Sequence, residues 1–133
     1  MKDDWEFIEK ILKGLPSNIF FKDTECRYLF ATHYWNHIEH EDSDEWTIRG
    51  KTDLEIRKDK DNAAKAFEQD KKIIETGKGC NYIIEVRLEG NLEYLEIFKS
   101  PVRNDDGEII GIVGLINNVT DRIILQKQLE KYA

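Results

Sequence analysis

The sequence predicts an α+β domain: a five-stranded antiparallel sheet with helices inserted between the second and third strands and a further helix at each end. Three observations carry this. Apolar residues spaced by three and four open and close the chain, the period of a helix with one buried stripe. Two short apolar runs, Ile19-Phe20-Phe21 and Tyr28-Leu29-Phe30, flank a polar stretch, the pattern of a hairpin. Beyond residue 80, three β-rich runs are divided by the turn signals Gly90-Asn91 and Asn104-Asp105-Asp106-Gly107.

Trp5, Ile8, Leu12 and Leu15 line one stripe, so a helix is predicted from Asp4 to Leu15, with Asp3 and Asp4 suiting its N-terminus and Pro16 ending it. Lys22-Asp23-Thr24-Glu25 is read as the hairpin turn. Thr32–His40 reads as a short helix, Glu41–Glu45 as an acidic loop, and Thr52–Ile56 as another short helix. The longest helix is expected over Asp61–Thr76, with Ala64, Phe67 and Ile74 inward and Gly77 as its stop. Tyr82–Leu88 and Tyr94–Pro101 are the next two strands. Ile109, Ile110, Ile112, Val113, Leu115, Ile116 and Val119 give β-branched density on both faces of the last strand, as if both were covered. Thr120 or Asp121 then caps an exiting helix carrying Leu125, Leu129 and Tyr132.

The 133 residues amount to one domain, 40% hydrophobic and 35% charged. No apolar run approaches the ~18 residues of a membrane span, and Met1-Lys2-Asp3-Asp4 does not open a signal peptide, so a cytosolic location is expected. A net charge of −7 argues against a nucleic-acid surface. Cys26 and Cys80 lack metal-ligand spacing and read as two reduced thiols. No phosphate-binding Gly-rich loop, HExxH motif or nucleophile beside a base is present, so no catalytic residue is assigned. His33, His37 and His40 share one predicted helical face and, with Glu41 or Asp42, form a weak candidate for a metal. A solvated face opposite Trp35 and Ile38 is the reading adopted, with no metal expected.

In this order the chain resembles a PAS domain, the sensory module of bacterial histidine kinases and diguanylate cyclases. The residues that carry the resemblance are Leu15-Pro16-Ser17-Asn18-Ile19-Phe20-Phe21-Lys22-Asp23, Arg27–Ala31, Gly50-Lys51-Thr52-Asp53-Leu54-Glu55, Glu75-Thr76-Gly77, Lys99-Ser100-Pro101 and Asn118-Val119-Thr120-Asp121-Arg122. It implies a flanking helix over residues 1–16, the sensor over 17–120, and a signalling helix over 121–133 that leads to an output domain in the same chain. Light-sensing flavin relatives place a reactive cysteine where Asp53 stands, and haem-binding relatives place a histidine on the long helix, which has none; both cofactors are disfavoured. Asn118 departs from the aspartate usual in the closing motif, so the anchor of the exiting helix is expected to be weaker.

Carried over from the same relatives, a candidate cavity draws on Phe20, Phe30, Trp35 and Phe67, with Ile83 and Glu85 on one strand. Leu95, Ile97 and Lys99 join from the next strand, and Ile112, Gly114 and Ile116 from the last. Glu85 and Lys99 are expected to pair, either with each other in a filled core or with a small polar or amphipathic ligand. Asn118, Thr120, Asp121, Leu125 and Leu129 would relay a signal, and the two terminal helices would pair in a homodimer. The competing readings are a ligand-free dimerisation domain, and a cone-shaped enzyme resembling steroid isomerases with Glu85 as its base.

Overall fold

The computed structural model describes residues 2–33 and 46–132. Helix α1 (Lys2–Leu12) leads into strands β1 (Asn18–Asp23) and β2 (Tyr28–Ala31). Helices α2 (Asp53–Ile56) and α3 (Lys60–Thr76) precede β3 (Cys80–Leu88), β4 (Asn91–Arg103), β5 (Ile109–Asn118) and α4 (Thr120–Glu130). The strands form one antiparallel sheet in the order β2-β1-β5-β4-β3, which puts the first and last strands side by side. The short helix predicted over Thr32–His40 and the acidic loop after it lie almost wholly outside the described residues.

The turn residues follow their chemistry. Glu89 and Gly90 both take positive φ (52° and 84°), as a two-residue hairpin turn of the primed kind requires. Asp23 closes the first hairpin by accepting the backbone N–H groups of Glu25 (2.9 Å) and Arg27 (3.1 Å) on its side chain. Asp59 caps α3 through Asp61 and Asn62, and Gly77 ends it at φ 71° with its N–H on Ile73.

Each face of the sheet has its own cover. Phe20, Tyr28, Ala31, Ile48 and Ile56 pack on the inner side, joined by Trp46 and Ile116. On the outer side, Trp5 of α1 stacks on Phe21 at 5.2 Å and tilts against Phe30 at 6.0 Å. Gly114 is buried where Phe20 crosses β5: a Cβ there would stand 1.9 Å from the ring carbon Cζ.

Four expectations need correcting. The first helix ends at Leu12, because Gly14 and Pro16 follow too soon for another turn. Lys22 belongs to β1, not to the turn, and is only 1% exposed. The inward stripe of α3 runs through Ala63, Asp70 and Ile73; Ala64 is exposed and Phe67 and Ile74 are half-buried. Finally, β5 is covered unevenly: Ile112 is buried, Val113, Leu115 and Ile116 are half-buried, and Ile110 is exposed.

Candidate ligand-binding site

A cavity of about 670 Å³ lies between α3 and the inner face of the sheet. Phe20, Tyr28, Ile84, Val86, Leu95, Ile97 and Ile116 supply apolar wall, and Asn18, Gln69, Tyr82 and Lys99 supply polar groups. Arg57, Asp59, Asn62, Lys65, Glu85 and Arg87 complete its border. Strand alternation explains the strand contributions, since residues two apart share a face of the pleat.

Beside the cavity runs a buried chain of charges. Lys22 Nζ donates to Asp53 Oδ2 and to Asp70 Oδ2, both at 2.6 Å, and lies over the rings of Phe20 (5.0 Å) and Tyr28 (4.7 Å). Asp53 Oδ1 accepts from Tyr28 Oη (2.8 Å) and Arg57 Nε (3.0 Å). Asp70 Oδ1 accepts from Lys99 Nζ (2.7 Å), which also donates to Gln69 Oε1 (2.8 Å), and Tyr82 Oη donates to the same Gln69 oxygen (3.0 Å). Among the described residues, no buried side-chain nitrogen or oxygen lacks a partner.

Burial that severe is tolerable only because each ion is met by its opposite. Burial pushes the Asp53 carboxyl up, but the charges of Lys22 and Arg57 and the hydrogen bonds from Lys22 and Tyr28 outweigh it and hold the group well below the usual carboxylate range. Burial pushes Lys22 down, and Tyr28 with the two aspartates more than reverses it. Lys99 goes the other way: burial and the Lys22 charge lower it despite Asp70. Burial raises the Cys26 thiol to about 11 and raises Cys80 as well, so both are poor nucleophiles.

The structure gathers only part of the predicted set. Phe20, Leu95, Ile97, Lys99 and Ile116 line the cavity. Phe30 does not, because its parity turns it to the outer face under Trp5 and Phe21. On β3 the parity is reversed as well: Tyr82, Ile84 and Val86 face inward, leaving Ile83 44% exposed and Glu85 exposed at the rim. Glu85 therefore makes no pair with Lys99; Asp70 takes that place. Ile112 fills the core opposite Lys22 in the strand register, and Phe67 lies off the cavity with Lys71 at 5.9 Å from its ring. Trp35, His37 and His40 lie outside the described residues; His33 Nδ1 is 3.0 Å from Thr32 Oγ1.

Sequence reasoning passed over Lys22, Asp53, Asp70, Arg57, Gln69 and Tyr82. A signal for one of them existed, since alternation puts Lys22 on the same face as Phe20.

The exiting helix is held by polar contacts to β4. Thr120 Oγ1 accepts the backbone N–H of Tyr94 (3.0 Å) and donates to Asn118 Oδ1 (2.6 Å), which also accepts the Thr120 N–H (3.0 Å). Asn118 Nδ2 donates to Glu93 (3.0 Å), so the amide keeps the local contacts that a carboxylate acceptor would make and adds a donor. Lys127 Nζ donates to Tyr94 Oη (2.8 Å), and Arg122 stands 3.7 Å from Glu96. No residue of α4 is buried; Leu125 and Leu129 are exposed.

A five-stranded antiparallel sheet in this order, with helices from the β2–β3 connection over a cavity on its inner face, defines a sensor-type α+β domain. The family model described as PAS fold matches residues 12–123, and the chain belongs to that family of sensory domains. Histidine kinase 5 of Arabidopsis thaliana is 30% identical over 128 residues, 94% of this chain and 13% of that protein. The structure of VqmA bound to DPO is 27% identical, with a TM-score of 0.69 over 91% of this chain and 60% of that one. The PAS domain of Bordetella pertussis BvgS, at 20% identity, shares the fold with a TM-score of 0.66 over 98% of this chain and 96% of that one. The chain thus spans about an eighth of the curated relative and three-fifths of VqmA. Among the described residues, no helix is long and apolar enough to cross a membrane.

Proposed function

We propose that this domain is the ligand sensor of a larger signalling protein, and that β4 couples its cavity to the exiting helix. One observation carries the reading. The inner face of β4 supplies Leu95, Ile97 and Lys99 to the cavity, while Glu93, Tyr94 and Glu96 of the same strand hold α4. A ligand that shifts β4 by a fraction of an ångström therefore moves the seat of α4. It biases the output only as far as it binds the two arrangements with different affinity.

The similarity to VqmA, seen with DPO, supports a small-molecule ligand, and the plant histidine kinase supports a kinase as output. A diguanylate cyclase would couple through the same helix. The reading includes a homodimer paired through α1 and α4, supported by exposed Phe7, Ile11, Leu125 and Leu129. It places the domain in the cytosol, with residues 121–133 as the signalling helix, and assigns it no haem, flavin or nucleic-acid contact. A ligand-free dimerisation domain would need a filled core, against which the cavity stands.

Native mass spectrometry of the gently purified domain, paired with hydrogen exchange, tests the proposal. Expected is a stoichiometric non-covalent adduct whose removal changes exchange at 120–130. Unchanged exchange at α4 with and without a bound small molecule would sink the relay.

A further inference from the structure

The cavity has a sign as well as a shape, and the ligand class it selects rests on reading it as the sensor site. Arg57, Lys65, Arg87 and Lys99 border it against Asp59 and Glu85, in a chain whose formal charge is −7. The imbalance continues inward. Lys22, Arg57 and Lys99 share two carboxylates, Asp53 and Asp70, each already serving two cations. The cluster therefore holds one cation more than it has anions once Arg57, half-buried at its outer end, is counted with the sealed Lys22 and Lys99.

The charge chain meets the cavity at both of its cationic ends, Arg57 and Lys99, and of the two only Lys99 is buried. Its ammonium has three N–H donors. One goes to Asp70 and one to Gln69, and the third has no partner among the described residues, although Lys99 is only 4% exposed. Asn18 and Gln69, which also line the cavity, use their side-chain oxygens, Asn18 on the His33 N–H and Gln69 on Lys99 and Tyr82. Their amide nitrogens have no protein partner among the described residues and add donors to the same wall. The remaining wall is apolar, from Phe20 to Ile116.

We propose that the cavity takes a small amphipathic anion, an apolar body bearing one carboxylate- or sulfonate-like group, with that group docked on Lys99. An anion there fills the third donor and cancels the excess charge. A neutral acceptor does only the first, and a cation worsens the second. Burial and Lys22 both push the Lys99 ammonium toward its neutral form, and a bound anion reverses that push.

Fluorescence titration with 1-anilinonaphthalene-8-sulfonate and with N-phenyl-1-naphthylamine tests this, because the two probes share their rings and differ by the sulfonate. Expected is one-to-one binding of the sulfonate at least about tenfold tighter than the neutral amine, the scale of one charge-assisted hydrogen bond. Lys99→Met should remove that advantage and leave the neutral probe's affinity in place. Lys99→Gln replaces it if circular dichroism finds the Met variant unfolded, and the wild-type ratio needs no variant. Equal or tighter binding of the neutral amine overturns the anion assignment while leaving the cavity as a ligand site. A sulfonate advantage that survives both substitutions overturns the role of Lys99. Failure of both probes to bind stoichiometrically overturns the anion assignment and the sensor reading together.

Discussion

Replacing Lys22 by Met keeps a chain of similar length in β1 and removes the ammonium that Asp53 and Asp70 share. Both aspartates are essentially sealed, at 1% and 0% exposure, so the two Lys22 contacts at 2.6 Å cannot be replaced by water without opening the core. Breaking a buried pair from one side costs about 3–5 kcal/mol, most of it the penalty of a carboxylate left without its counter-ion. Two considerations set the expected value within that range. Two carboxylates are stranded rather than one, which raises the cost. Each also keeps another cation, Arg57 on Asp53 and Lys99 on Asp70, which lowers it. A loss of about 4 kcal/mol at pH 7 is therefore expected, a large part of the ~5–15 kcal/mol that holds an ordinary domain folded. Urea unfolding followed by circular dichroism reads it as a lower midpoint at unchanged slope.

The pH dependence supplies a second handle. In the wild type the Asp53 carboxyl is held below its unfolded value, so its stabilisation is full above the ordinary carboxylate range and lost as pH falls toward the folded value. Without Lys22 the main charge holding it down is gone, and protonation then relieves the variant. The gap between wild type and variant should narrow from pH 7 to pH 4. A cycle with Asp70→Asn should show the double substitution costing less than the sum of the singles. A loss under about 1 kcal/mol, or strict additivity in the cycle, would refute the charge chain as a structural element.

Gly114→Ala should destabilise by about 1–3 kcal/mol, since its Cβ meets the Phe20 ring; a Phe20→Leu background should recover part of that in thermal melts, and no recovery would contradict the contact. Thr120→Val should leave the midpoint within about 1 kcal/mol yet speed amide exchange along α4, because it removes the hydroxyl that joins Tyr94 to Asn118; unchanged exchange would show the anchor is elsewhere. Purified protein should show no absorbance above about 320 nm, and a haem or flavin band would overturn the cofactor reading. Sedimentation of wild type against a Leu125→Asp, Leu129→Asp variant should separate a weak dimer from a monomer; identical monomers at high concentration would remove the pairing of α4.

The fold was legible because its signals are local. Helical spacing at Trp5–Leu12, aromatic runs on either side of Asp23, and glycines at positive φ each report on a few neighbouring residues. The site was less so, for two physical reasons. Strand parity must be fixed by an anchor, and on β3 the apolar residues Ile83 and Ile84 stand side by side, so hydrophobicity cannot choose the face. Buried charge is the other reason. Lys22, Asp53 and Asp70 read as surface residues until their partners are known, and those partners are 31 and 48 positions away. Lys99 alone was recognised as inward, and its expected partner on β3 was wrong because an acid on α3 reaches it first.

The charge chain also constrains how the domain can respond. Lys22 ties β1 to α2 through Asp53 and to α3 through Asp70, and Lys99 ties α3 to β4. Two strands on either side of β5 are thereby linked through helices on the inner face, and the carboxylate of Asp70 stands at the junction. An anion on the third donor of Lys99 shares the charge of that ammonium with Asp70, weakening the α3–β4 tie while making no contact with the Lys22–Asp70 tie. Strand β4 is then the element freed to shift, and it is the strand whose Tyr94 N–H and hydroxyl hold α4. Asp70→Asn weakens the α3–β4 tie without ligand, and the Lys22 tie along with it, since the amide keeps the shape and loses the charge. If the relay works this way, the Asn variant should show the ligand-bound exchange pattern at 120–130 in the absence of any ligand. A variant that is destabilised but keeps the ligand-free pattern would separate the stabilising role of Asp70 from any role in signalling.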